Sequence, residues 1–209
     1  MAHQTLLIDA GTGNLRSVYH ALITRGFDIK VSDDPSDIKT GERIILPGVG
    51  AFGKFMQGLR LRKLDIPLKE AFARGDCILG ICVGMQALFE YGEEGGALAG
   101  DDQGLGLIPG KVPRFPNQAG LKVPHTGWNQ IFFQKTSPLF TGLEDGCYGY
   151  FNHSYYCEPK NPEFTIGVTD YGISFTSVVQ CGNLYGVQFH PEKSQLVGLR
   201  ILENFMKII

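Results

Sequence analysis

The chain has 209 residues, a length that suits one domain, and 43% of them are hydrophobic, enough to fill a core. Lysine and arginine total 19 against 21 aspartates and glutamates, a net charge of −2, which gives no electrostatic reason to expect nucleic acid or an anionic membrane as a partner. No apolar run approaches the ~20 residues of a membrane helix, and the opening MAHQTLLIDAG lacks the basic start and long apolar stretch of a secretory signal, so a cytoplasmic protein is expected.

Residues 6–9 read as a buried strand, and Gly11-Thr12-Gly13-Asn14 leads into a helix with Leu15, Val18 and Leu22 on one face. Residues 28–33 and 43–46 are expected as the next strands, the latter stopped by Pro47-Gly48-Val49-Gly50. Residues 52–61 and 68–74 read as helices. Residues 77–81 form a fourth strand, and Met85, Leu88 and Phe89 mark one face of a helix after it. This alternation indicates a parallel sheet with helices on both faces, which binds ligands beyond the carboxyl ends of its strands.

From about Gly92, loops rich in Gly and Pro separate strand-like runs at 131–133, 149–157, 164–168, 175–179 and 184–189. These are expected to add antiparallel strands, with a hairpin turn at Cys181-Gly182-Asn183. A closing helix carries Leu199, Leu202, Met206 and Ile209 at spacings of three and four. With no linker or second core, residues 1–209 are expected to form a single α/β domain. Its layout is a three-layer sandwich with a mostly parallel central sheet plus antiparallel strands.

Five cysteines without a Cys-x-x-Cys pair argue against a disulfide framework or thiolate metal site, and five histidines without His-Glu-x-x-His spacing argue against zinc. No metal and no cofactor are expected. Glycine is the outlier at 28 residues, about twice the usual ~7%. Glycines gather at the ends of apolar segments, where turns form or backbone approaches a ligand.

Gly80-Ile81-Cys82-Val83-Gly84 follows a strand and opens a helix, the layout of a nucleophile elbow with Cys in place of Ser. Small residues on both sides permit the tight turn, and the positive end of the following helix would favour a thiolate at Cys82. Cys77, by contrast, fits an ordinary buried strand cysteine. A nucleophilic Cys needs a base, and the base needs an orienting group. His190 ends an apolar strand, and Glu192, two residues on, shares its face in extended backbone. Pro191 biases His190 toward that geometry. An oxyanion hole is expected from the Val83 N–H and from the Pro47-Gly48-Val49-Gly50 loop, for which an ordinary strand-ending turn is the competing reading.

Together these segments resemble the class I (triad) glutamine amidotransferases. More closely, the chain resembles the glutaminase subunits of imidazole glycerol phosphate synthase, through Gly13-Asn14-Leu15-Arg16-Ser17, Pro124-His125-Thr126-Gly127-Trp128-Asn129 and Tyr150-Phe151-Asn152-His153-Ser154-Tyr155. The resemblance implies a flavodoxin-like fold and a catalytic triad of Cys82, His190 and Glu192. It implies oxyanion donors at Gly50 and Val83, and glutamine binding by Gly48, Gln86, His153, Ser154 and Tyr155. It further implies a heterodimer in which ammonia passes to a cyclase subunit, a (β/α)₈ barrel that makes imidazole glycerol phosphate and an aminoimidazole carboxamide ribotide. Asn14, His125, Trp128, Asn129, Tyr150 and Lys193 match family positions at or near that interface. A buried core aromatic is the competing reading for Trp128, and satisfied structural histidines for His125 and His153.

The chain departs from the family pattern at Ala10, Val83 and Asn152, which bears on the shape of the interface. It has no Walker-type loop and no basic cluster to hold a phosphorylated acceptor. Alternatives are a paralogous subunit feeding ammonia to a sugar-modifying enzyme, a non-enzymatic binding subunit on the same fold, and a cysteine peptidase or thiol esterase.

Overall fold

The structure is a computed structural model that describes residues 5–38, 43–95, 102–117 and 120–208. The first half alternates as expected: β1 (Thr5–Ile8), α1 (Leu15–Ile23), β2 (Ile29–Ser32), α2 (Pro35–Ile38), β3 (Arg43–Gly48), α3 (Phe52–Leu61), α4 (Asp65–Arg74) and β4 (Cys77–Cys82). Then follow α5 (Val83–Gln86), β5 (Phe89–Gly92), β6 (Ile108–Val112), β7 (His125–Phe133), β8 (Cys147–His153) and β9 (Glu158–Pro159). The chain closes with β10 (Thr165–Asp170), β11 (Ser174–Cys181), β12 (Leu184–Val187) and α6 (Gln195–Phe205). Ile209, read as the last apolar position of the closing helix, lies outside the described residues.

Nine strands form one sheet in the order β2-β1-β3-β4-β12-β11-β10-β7-β8. The pairings from β2 to β12 are parallel and those from β12 to β8 antiparallel, so the expected mostly parallel sheet is divided evenly. All of β4 is buried, as a central strand covered on both faces requires. Among the helices, α1 packs with α6, while α2 meets α4 and α3 meets α5.

Two differences from the sequence reading bear on the site. The strand expected to stop at Leu46 runs on through Pro47 and Gly48, which pair with Ile81 and Cys82. Beyond Ile45 its other edge has no β1 partner, so proline's missing N–H costs no ladder bond there. The helix after Cys82 lasts only four residues, because Phe89 enters β5. β5 pairs with β6, and β6 with β9, in a three-stranded sheet that the sequence reading did not anticipate.

Register does the work of assembling the site. β12 lies parallel to β4 with Val187 opposite Ile81. The next residues of the two strands therefore leave the same sheet edge side by side. One carries the chain to Cys82 and the other to Gln188 and His190.

Candidate active site

Cys82 ends β4 with φ +54° and ψ −111°, a conformation that L residues rarely adopt and that costs of order 1–3 kcal/mol. Three glycines make this turn possible. A Cβ on Gly80 would lie 2.7 Å from the Gly84 carbonyl and from Met85 backbone, one on Gly48 would lie 2.6 Å from the Gly84 nitrogen, and one on Gly84 would collide with the Leu46 carbonyl oxygen. The strand–turn–helix is thus wedged directly onto β3, and Cys82 is buried.

His190 is delivered from β12 and held by β8. Its N–H donates to the Tyr150 carbonyl at 2.8 Å, and the Ser194 hydroxyl donates to the His190 carbonyl at 2.6 Å while accepting from the Tyr150 N–H at 2.9 Å. A single 3₁₀ turn, Pro191–Lys193, folds Glu192 back so that its Oε1 lies 3.0 Å from His190 Nδ1. The Asn14 amide reaches the same Oε1 at 3.5 Å. Burial works to lower the His190 imidazole pKa, but hydrogen bonding to Cys82 and to Glu192 outweighs it and raises the value to about 10. With Nδ1–H committed to the carboxylate, Nε2 is the nitrogen left to serve the sulfur.

Cys82, Val83, His190, Gln86 and Gly50 line one cavity of about 560 Å³, together with His153, Ser154 and Tyr155. Gly50 has φ +88°, backbone suited to glycine. Asn14 and Lys193 border the same cavity. Gly48 does not line it: that glycine is explained by its packing under Gly84. Three further lining residues escaped the sequence reading as ligand-facing: Glu94, Pro124 and Asn152. Glu94 Oε2 accepts from the Phe52 N–H at 3.0 Å, fastening the start of α3 beside the Val49–Gly50 loop.

The remaining positions separate into surface and interior. Trp128 is 47% exposed, which removes the buried-core reading. Its ring meets Tyr150 edge-on at 6.0 Å, and Lys193 Nζ lies over the Tyr150 ring at 5.7 Å. His125 is not a surface residue. It stacks between Tyr171 at 3.9 Å and Phe151 at 4.8 Å, buried.

His125 belongs to a hydrogen-bonded chain whose direction is fixed by its ends. The Tyr155 carbonyl can only accept, so His153 Nδ1, at 2.7 Å, donates to it. His153 Nε2 then accepts from His125 Nδ1 at 3.1 Å, and His125 Nε2 accepts from the Asn129 amide at 3.2 Å. Both rings are neutral in this arrangement, and burial pushes His125 down to about 4 and His153 to about 3.

A buried thiol and an imidazole lining one cavity of small-molecule size, with a carboxylate behind that imidazole, can carry acyl transfer through a thioester. Residues 6–209 match the family model described as Glutamine amidotransferase class-I. The chain belongs to the class I glutamine amidotransferases. It is 48% identical over 203 residues to the imidazole glycerol phosphate synthase subunit HisH of Moorella thermoacetica, covering 97% of this chain and 94% of that one. It is 46% identical to the protein of the same name from Symbiobacterium thermophilum, covering 98% and 93%. The structure of PurLQS from Thermotoga maritima superposes on this amidotransferase with a TM-score of 0.74 at 21% identity, covering 99% and 98%, a likeness of fold.

Proposed function

We propose that this protein is the glutaminase subunit of an imidazole glycerol phosphate synthase, hydrolysing L-glutamine and delivering ammonia to a cyclase subunit in histidine biosynthesis. The juxtaposition of Cys82, His190 and Glu192 at the edge shared by β4 and β12 carries the chemical part of this reading. Near-complete coverage at 44–48% identity by relatives named for that subunit carries the pathway part and disfavours a paralogue serving a sugar-modifying enzyme.

In this reading the Cys82 thiolate attacks the side-chain amide carbon of glutamine. The developing oxyanion is taken up by the Val83 and Gly50 N–H groups. The His190 imidazolium gives its Nε2 proton to the departing nitrogen, so the C–N bond breaks and ammonia leaves a glutamyl thioester. Neutral His190 then takes a proton from water, which adds to the thioester carbon and releases glutamate and the thiolate. Glu192 holds one tautomer and balances the imidazolium charge throughout. Gln86 and the 153–155 segment hold the amino-acid end of the substrate.

Ammonia released into neutral water becomes ammonium and loses its nucleophilicity, so the product needs a sealed route. The cyclase barrel supplies it by docking over the mouth of the cavity, where Asn14 and Lys193 lie, with Trp128 and Tyr150 beside it. The whole chain acts as one domain in the cytoplasm, without a nucleic acid or membrane partner. No described helix is long and apolar enough to cross a membrane. The test is a glutaminase assay with and without a matched cyclase subunit and its ligand. Slow turnover alone and much faster turnover in the complex support the proposal, and full speed without a partner contradicts it.

A further inference from the structure

Gln188 sits between Val187 and Phe189 in a wholly apolar stretch and is itself fully buried. An amide there is expensive unless its donors and acceptor are used, at roughly 1–3 kcal/mol for each group left unpaired. Its Oε1 accepts from Gln86 Nε2 at 3.2 Å, and its Nε2 lies 3.8 Å from Cys82 Sγ, within reach of sulfur's larger radius. The orientation of the amide follows from its neighbours. Gln86 Nε2 also donates to the Tyr155 carbonyl at 3.1 Å, which fixes that atom as the nitrogen. Its second hydrogen therefore meets an oxygen on Gln188, and the Gln188 NH₂ faces the sulfur.

The amide is a donor to the sulfur in addition to the His190 imidazole. The helix after the elbow has four residues and one turn of dipole, far less than the sequence suggested. We propose that Gln188 is a positioning residue for the nucleophile. Its amide N–H points at Cys82 Sγ, holds the sulfur in its attacking orientation and favours the thiolate over the thiol. The role rests on the glutaminase reading above, with Gln86 linking the substrate pocket to the same amide. When glutamine occupies the pocket against Gln86, the Gln188 amide is already set, so substrate binding and nucleophile alignment share one hydrogen-bonded pair.

The test compares alkylation of Cys82 by iodoacetamide across pH in the wild type and in Gln188→Met, which keeps length and removes the donor to the sulfur along with the acceptor for Gln86. Gln188→Glu, which keeps shape but puts a carboxylate at the sulfur, is the second variant should the first not fold. Labelling is followed on the Cys82 peptide by mass. Burial pushes the thiols of Cys77, Cys147, Cys157 and Cys181 up, so they react slowly at neutral pH. The expected result is a rate at pH 7 lower by roughly five- to tenfold, converging on the wild-type rate in alkali, because a charge-assisted hydrogen bond to the thiolate is lost. In the complex with the cyclase, kcat for glutamine falls by a similar factor. Superimposable alkylation profiles, or a loss equal at every pH, overturn the proposal. Wild-type protein that reacts normally with iodoacetamide but never hydrolyses glutamine sinks the glutaminase reading instead, while the profile comparison still decides whether the amide acts on the sulfur.

Discussion

Glu192 Oε1 lies 3.0 Å from His190 Nδ1, with the two side chains only 1% and 4% exposed. A carboxylate so placed cannot be replaced by water, and it selects which imidazole nitrogen faces the sulfur. Glu192→Gln keeps the shape and removes the charge, and its amide NH₂ can turn toward Nδ1 and invert the tautomer. The expected loss is on the order of 10²–10⁴ in kcat, with glutamine binding little changed. Steady-state kinetics on the cyclase complex checks it, and a loss below tenfold would count against a triad role for Glu192.

Gly84 packs directly on the Leu46 carbonyl. Gly84→Ala places a methyl where backbone already stands, and neither β3 nor the elbow can move without the other. A destabilisation of about 3 kcal/mol or more is expected, read as a large drop in urea midpoint together with lost Cys82 reactivity. Gly26→Ala is a control: its φ of +80° carries strain, but a Cβ there meets no atom within 4 Å. It should cost far less and leave the site intact.

The neutral His125–His153 pair makes stability depend on acid. In the unfolded chain each titrates near ~6.5, whereas the folded protein holds them at about 4 and about 3. Between those values the unfolded chain binds protons that the folded chain refuses, so stability falls as pH drops below 6.5 and is insensitive to the pair above 7. His125→Leu removes one of the two groups. Its unfolding free energy should decline less steeply between pH 6.5 and 4.5, by roughly 1 kcal/mol per pH unit. Parallel slopes for the two proteins would contradict the assignment.

Trp128, half exposed and edge-on to Tyr150, contributes little to the fold of the isolated subunit. Trp128→Ala should change unfolding free energy by less than about 1 kcal/mol. It should weaken cyclase binding by about 10–100-fold, the loss typical of a central aromatic anchor. Titration calorimetry with the matched cyclase measures both the affinity and the stoichiometry, and unchanged affinity would remove Trp128 from the proposed interface.

The parallel half of the fold was legible because strands such as β1 and β4 are short apolar runs ended by Gly or Pro turns, and the antiparallel β11–β12 hairpin because the Gly182-Asn183 turn joins two strand-like runs. The Cys82 elbow and the His190-Pro191-Glu192 turn were legible for the same reason: spacing along the chain sets the local geometry. What the chain order hid was register and side-chain depth. Met85, Leu88 and Phe89 fall at helical spacing, yet Phe89 is claimed by Ile108, a strand partner far along the chain. Ile108-Pro109-Gly110 reads as loop and is instead part of β6. For His125 the structure favours the satisfied structural histidine over the interface position, because Tyr171 and Phe151 close over it. Gln188 drew no notice within the His190 motif, since only the pairing of β12 with β4 brings its amide to the sulfur.

The central claim is that Cys82 carries the glutamyl group during turnover. Acid-quenching the cyclase complex during steady-state hydrolysis and weighing the Cys82 peptide tests it directly. The account predicts a peptide heavier by one glutamyl group in the wild type, absent from Cys82→Ser. Active enzyme that hydrolyses glutamine at full rate with Cys82 replaced by Ala, or with the acyl group found on another residue, would contradict it.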